Sequence, residues 1–447
     1  MKSIGLLVTP FFTRLMTKGE FGYFNNFQAW LMIMLYICSL DLEGSIIRAV
    51  YDYKKELEKY VYSIIILGMM STVLAWILSL CFRSFCIKAF SIDSIYIDYM
   101  FVYLLFCPAV NVFQSIERFK YKYKWTVACG LFISVGASLL SLLLVALMQN
   151  KLQGRIVGFI LPTIILGVAI SFYYFIKARS FSFSYWKYAL PITLPYIPHL
   201  LSMYLLSNMD RVMIMKFCGS EQVALYSLAY TCGMVITMLS MSINNAYSPW
   251  LAEKLSQKDY DSIRKSSTIY VLFFSFAAFG VALITPELLY ILGGKSYISA
   301  KSVMPPVMAG CMLQFVYCMY VNIEQYEKRT IGMACASAVA AGLNFLLNYI
   351  FIRKYGYISA AYTTYTCYFF LLIIHVIYVK KIGRGFVYKN NQILSIGLLT
   401  SVLLCLIGLI FDFILIRYFI VAVYIIIGFV LFCKNTSLIK NLSIKEK

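Results

Sequence analysis

The chain has 447 residues, 62% of them apolar or aromatic and only 13% charged, with a mean hydropathy of +0.79. Soluble domains carry about 25% charged residues, so a cytosolic enzyme, a disordered chain and a secreted disulfide scaffold are excluded and a polytopic membrane protein is indicated. The net charge of +20 is an excess that short cytoplasmic loops retain against an anionic leaflet, and it requires no nucleic acid.

A spanning helix needs about 20 apolar residues. Such stretches fall near 3–17, 27–47, 60–80, 95–116, 126–148, 156–176, 190–214, 222–246, 268–292, 303–323, 331–352, 357–379, 391–411 and 414–433, which predicts an all-α bundle of about 14 helices. The first is short and carries Arg14, which either lines the interior or anchors the helix end. In the second, Asp41, Ser45 and Arg48 are spaced i, i+4, i+7 and would share one face of a continuous helix. They form either a functional pair or a structural one, with Arg48 reaching to the interface. The fourth ends in Glu117. The seventh opens with Pro191, Pro195 and Pro198, which remove backbone donors and mark a bend or hinge. It closes with Asn208, Asp210 and Arg211, read either as cavity groups or as an anchor at the outer interface. Glu324 ends the tenth helix. Asn344 and Asn348 lie one turn apart in the eleventh, a spacing suited to hydrogen bonds between helices.

Placing the N-terminus inside divides Lys and Arg roughly two to one in favour of the cytoplasmic loops, so both termini are expected in the cytoplasm. No loop exceeds about twenty residues, which leaves no room for a separate catalytic domain. The 13 cysteines stand mostly singly in apolar runs without a CxxC pair and read as free thiols, with no metal expected. No small-residue cleavage site follows the first apolar stretch, so a cleaved signal peptide is not expected. Gly294-Lys295-Ser296 ends like a phosphate-binding loop, but Leu289 stands where its first glycine is required. An ATP site is therefore not expected. His199 and His375 are solitary and read as satisfied bundle residues.

The chain also repeats itself. Lys18-Gly19-Glu20-Phe21-Gly22-Tyr23 resembles Gly219-Ser220-Glu221-Gln222-Val223-Ala224-Leu225-Tyr226, and this alignment sets Asp41 opposite Asn244. Ser115-Ile116-Glu117-Arg118-Phe119 resembles Asn322-Ile323-Glu324-Gln325-Tyr326 at nearly the same offset. Repeated halves with a site at their interface are a common transporter plan. The expected organisation is a six-helix lobe over 1–180, a second over 181–388, and two extra helices with a cytoplasmic tail over 389–447. The segment before Tyr23 is shorter than its counterpart, so the first helix is expected to be abbreviated or the start to lie upstream.

Pro191-x3-Pro195-x2-Pro198, Asn208-Met209-Asp210-Arg211, Gly219 and Leu225-Tyr226-Ser227-Leu228-Ala229-Tyr230 together resemble the seventh and eighth helices of Wzx-type polysaccharide flippases. These belong to the multidrug/oligosaccharidyl-lipid/polysaccharide (MOP) exporter superfamily. Leu292-Gly293-Gly294-x2-Tyr297-x2-Ala300, Leu343-Asn344-x3-Asn348 and Tyr355-Gly356-x3-Ala360-Ala361 agree in order. The resemblance covers about residues 10–380. It implies two six-helix bundles around a central cavity, in a bacterial inner-membrane protein that moves undecaprenyl-diphosphate-linked oligosaccharide to the outer leaflet for O-antigen, capsule or a related glycan. A polysaccharide polymerase and a chain-length regulator are the expected protein partners.

On that reading Arg14, Arg48, Arg211, Asn208, Asn344 and Asn348 are candidates for binding diphosphate or sugar. Asp41, Asp210, Glu117 and Glu324 are candidates for coupling or gating, and the three prolines for a hinge. No cofactor is expected, and a proton or sodium gradient is the expected energy source. Two other classes remain: a multidrug exporter of the same superfamily, and a membrane enzyme such as a polysaccharide polymerase or an acyltransferase using His375. The absence of a large outer loop weighs against a polymerase, and the arginines weigh against a cationic cargo.

Overall fold

The computed structural model describes residues 2–178 and 180–443. All regular structure among them is helical. The chain runs through α1 (Lys2–Leu15), α2 (Lys18–Cys38), α3 (Ile46–Asp52), α4 (Leu57–Cys81), a short α5 (Arg83–Phe90), α6 (Ser94–Phe119), α7 (Tyr123–Leu147) and α8 (Lys151–Ala178). Then follow α9 (Phe183–Thr193), α10 (Ile197–Cys218), α11 (Ser220–Ser256), α12 (Tyr260–Leu283), α13 (Thr285–Gly293), α14 (Met304–Tyr326), α15 (Thr330–Tyr355), α16 (Ser359–Lys381), α17 (Asn390–Leu406) and α18 (Ile414–Ser443). Eleven helices among the described residues are long and apolar enough to cross a membrane, or twelve if the bent pair α2–α3 is one span. The first and last of the expected spans are shorter apolar helices, Ile4–Leu15 and Ile414–Val430. The protein is thus a multi-pass membrane protein.

Packing divides the chain into two compact units. Unit 1 holds the residues up to Leu228 with Leu292–Gly294 and Ala334–Cys367. Unit 2 holds Ala229–Ile291, Lys295–Met333 and the residues from Tyr368 on. In unit 1, α2, α6 and α8 enclose one core around Phe24, Phe27, Leu31, Ile97, Phe101 and Ile156. A second core gathers Ile46, Tyr60, Ile64, Val110 and Ile170. Small residues let backbones meet where lipid supplies no hydrophobic push between helices. A methyl on Gly22 would lie 1.7 Å from the Ser220 carbonyl oxygen, and one on Gly158 would lie 2.4 Å from Ser141 Cα. Glycine at these two positions sets the α2–α11 and α7–α8 contacts. In unit 2, α14 is the enclosed helix, with Phe315 stacked on Phe274 at 4.2 Å. By contrast α4, α7 and α18 leave many large apolar side chains uncovered, as lipid-facing helices do.

Helix starts follow local chemistry. Thr17 caps α2 by accepting from the Glu20 amide, while the Glu20 carboxylate accepts from the Thr17 amide at 2.8 Å, a reciprocal capping box. Asp259, in the loop before α12, accepts from the Ser262 amide at 3.2 Å. Its bonds to Ser262 and the Lys254 ammonium hold its carboxyl below the ordinary aspartate value.

The expected continuous second helix is not present. Leu40 and Asp41 take left-handed conformations, with φ of 51° and 48°, and the axis turns by 47° between α2 and α3. The i, i+4, i+7 argument for Asp41, Ser45 and Arg48 therefore fails, because Asp41 lies in the break and only Arg48 lies on α3. Asp41 is buried, its carboxylate folded over Gly44, whereas Arg48 is exposed. Ser45 is instead held by the Tyr60 hydroxyl at 2.6 Å.

Candidate functional site

The densest buried polar cluster lies in unit 1 and is centred on Asp210 of α10. Asp210 is fully buried. Its Oδ1 accepts from Asn348 Nδ2 of α15 at 2.6 Å, and its Oδ2 accepts from Thr364 Oγ1 of α16 at 2.9 Å. The Tyr226 hydroxyl of α11 donates to the same Oδ2. The surrounding groups are themselves linked. Asn348 Nδ2 also reaches Asn344 Oδ1 at 3.0 Å, Asn344 Nδ2 donates to Thr364 at 3.1 Å, and Thr363 donates to Asn348 Oδ1. Four helices thus converge on one carboxylate, with a ring of amide and hydroxyl oxygens about it. A carboxylate this deep in a membrane bundle is costly and by default marks an ion or substrate pathway. The arrangement can hold a proton on Asp210 or present several oxygens to a small cation.

The other candidates fall into separate settings. Arg211 donates to Asn208 at 3.0 Å, one turn along the same helix, so those two form a local pair beside Asp210. Between Pro191 and Pro198 the α-helix tightens into a 3-10 turn over Leu194–Tyr196, and all three prolines are exposed. Arg14 is exposed and donates to the Pro10 carbonyl at 2.8 Å, while Lys151 holds the Leu15 carbonyl at the end of α1. Arg118 bonds Ser115 at 3.1 Å beside the buried Glu117.

In unit 2 Glu324 is fully buried, and its Oε1 lies 2.8 Å from His375 Nδ1, whose ring stacks on Tyr317. Glu324 Oε2 has no partner among the described residues. Sequence reasoning placed these two residues separately. Nothing in a lone histidine 51 positions away announces the pairing. The side chain of His199 lies outside the described residues. Sequence reasoning also passed over Thr363 and Thr364, and used Tyr226 only as a landmark of the repeat. Arg155 escaped it too, its guanidinium lying 3.6 Å and 4.3 Å from the ring centres of Phe12 and Phe24.

The polysaccharide biosynthesis protein family model matches residues 1–255, and the MatE family model matches residues 195–350. Protein 1 of the Lsg locus of Haemophilus influenzae is 23% identical over 365 residues, covering 75% of this chain and 84% of that protein. A probable low-salt glycan biosynthesis flippase, Agl15, of Haloferax volcanii is 25% identical over 214 residues, covering 47% and 44%. Among solved structures, lipid II flippase MurJ in an inward closed conformation superposes with a TM-score of 0.75 at 16% identity, covering 98% of this chain and 97% of that one. An inward-facing multidrug resistance MATE family transporter of the MOP superfamily gives 0.62 at 14% identity, covering 86% and 95%. The two family models and the glycan-flippase relative mark the chain as a transporter of the MOP superfamily rather than an enzyme. The chain belongs to the polysaccharide biosynthesis protein family.

Proposed function

We propose that this protein is a flippase that carries undecaprenyl-diphosphate-linked oligosaccharide repeat units from the inner to the outer leaflet by alternating access. The product would be O-antigen, capsule or a related surface polysaccharide. The observation that carries this reading is the match of more than half the chain to a polysaccharide biosynthesis family, on a fold shared with a lipid II flippase. The physics supports it. A glycan diphosphate cannot cross hydrocarbon unaided, because each unpaired polar group there costs several kcal/mol. A cavity that opens sideways can shield the head group while the lipid tail stays in the bilayer.

In this reading Arg14, Arg48 and Arg211 serve the diphosphate, and Asn208 orients Arg211. Asp210 is the coupling group for a proton or sodium gradient. Asn344 and Asn348 then serve that coupling site rather than sugar. Asp41, Glu117 and Glu324 are gating groups, and the proline-bracketed turn before α10 is the hinge. The repeat supports lobes over 1–180 and 181–388 with two added helices. The loop charges support a bacterial inner-membrane protein with both termini in the cytoplasm. A polymerase and a chain-length regulator would act on the delivered units.

The second reading is a multidrug exporter, favoured by the MatE match over residues 195–350. Deleting the gene in its native host separates the two. The flippase reading expects loss of surface polymer, with completed lipid-linked units retained on the inner leaflet. Unchanged polymer and lipid pools, in a host with no second flippase gene, would sink it in favour of the exporter.

A further inference from the structure

Unit 2 contains a polar cavity that none of the foregoing uses. It measures about 470 Å³ and lies between α11 and α14, within the size range of small-ligand sites. Its walls carry Asn244, Asn245 and Ser248 from one helix and Asn322 and Gln325 from the other, with no carboxylate, ammonium or guanidinium among its lining groups. Of these four carboxamides, Asn245 and Gln325 are exposed, Asn244 is half-buried and Asn322 is buried, where an unmet polar atom is costly.

Only part of their hydrogen-bonding capacity is used. Asn322 Nδ2 donates to Asn244 Oδ1 at 2.8 Å, which fixes the orientation of both amides. Among the described residues, Asn322 Oδ1, the Asn244 amide N–H groups and the side chains of Asn245 and Gln325 make no hydrogen bond within the protein. Pro249, one turn beyond Asn245, has no N–H to offer the Asn245 carbonyl. That leaves one more acceptor at the wall. Glu324, the neighbouring carboxylate on α14, is turned to His375 instead, so the cavity keeps its neutrality. The repeat-related cleft in unit 1, by Leu42, Glu43 and Asn111, measures only about 10 Å³ and includes an acid. Of these two clefts, the one in unit 2 is the roomy one and the one without a charged lining group.

Carboxamides with free donors and acceptors, without charge, suit vicinal hydroxyl groups and not a diphosphate. We infer that this cavity is the subsite for a neutral, hydroxyl-rich sugar of the lipid-linked glycan, separate from the groups that hold the diphosphate. The inference rests on the flippase reading and extends it.

The test uses the full-length protein in nanodiscs with two probes: undecaprenyl diphosphate, and the lipid-linked glycan pool extracted from the deletion strain. The wild type should bind the glycan-bearing lipid about tenfold or more tighter than the bare one, as two or more added hydrogen bonds require. The double variant Asn245→Leu/Gln325→Leu, altering two exposed wall residues, should abolish that preference. Its affinity for undecaprenyl diphosphate should stay unchanged, which shows that it is folded. Asn245→Gln should keep most of the preference. An undiminished preference in the double variant would overturn the inference, and so would equal binding of both lipids by the wild type. Both of those outcomes leave the flippase reading standing. Failure of the wild type to bind either lipid would overturn that reading and the subsite with it.

Discussion

At the scale of single residues, Asp210 ties together α10, α11, α15 and α16. Replacing it by alanine removes the acceptor for Tyr226, Asn348 and Thr364 at once. Side-chain hydrogen bonds in membrane bundles average about 0.6 kcal/mol each. Asp210→Ala should therefore lower stability by about 2 kcal/mol, read as a reduced melting temperature of the detergent-purified protein. Asp210→Asn keeps the shape but turns one acceptor oxygen into a donor, so it should be destabilised by less than Asp210→Ala. If Asp210 couples transport to an ion, Asp210→Asn should also lose any dependence of the melting temperature on sodium or pH. A dependence retained in that variant would move the coupling role elsewhere. Asp210, Asn344 and Asn348 were legible in the sequence because a carboxylate and paired amides inside apolar runs are conspicuous. Thr363 and Thr364 were not, since threonine in a membrane helix is commonplace and its partner Asp210 lies 154 positions from Thr364.

Among the elements, the sequence indicates where apolar helices fall more clearly than where they break. The break at Leu40 and Asp41 falls in Ser39-Leu40-Asp41-Leu42-Glu43-Gly44, where two acids and a glycine are a turn signal that the 27–47 span runs straight through. The three prolines around the start of α10 gave an open signal, and a 3-10 turn sits among them. The extension of α11 to Ser256, ten residues beyond the expected end at 246, was hidden by its polar character after Ser248. Close helix contacts leave a fainter trace. Gly22 could be noticed in the repeat, but its role depends on Ser220, which only the fold brings near. Gly22→Ala would press a methyl into the Ser220 carbonyl and the Ala224 amide. Overpacking of this kind costs about 1–3 kcal/mol or more, so the variant should give a strongly reduced monodisperse peak in size-exclusion chromatography. A wild-type profile would mean that α2 and α11 can part without loss.

For the whole molecule, composition settled the class and loop charge suggested the orientation. Reporter fusions test that orientation directly. Green fluorescent protein at the C-terminus should fluoresce and alkaline phosphatase at the same position should be inactive. The opposite pair of results would invert the topology and exchange the faces assigned to every loop. The two packing units are less legible, because Ala334–Cys367 joins unit 1 from far along the chain. Long-range membership of this kind follows from side chains meeting in three dimensions, and local periodicity carries no record of it.

That late-arriving segment has a consequence for how the protein is made. Asp210 emerges from the ribosome with Tyr226 only 16 residues behind it, but Asn348 follows 138 residues later and Thr364 later still. At about 5–20 residues per second, the acid in α10 waits on the order of ten seconds or more for its full set of partners. During synthesis the Tyr226 hydroxyl is its first companion from the final cluster. A chain that stops before α16 would leave an incompletely satisfied carboxylate in the bilayer, where quality-control proteases could recognise it.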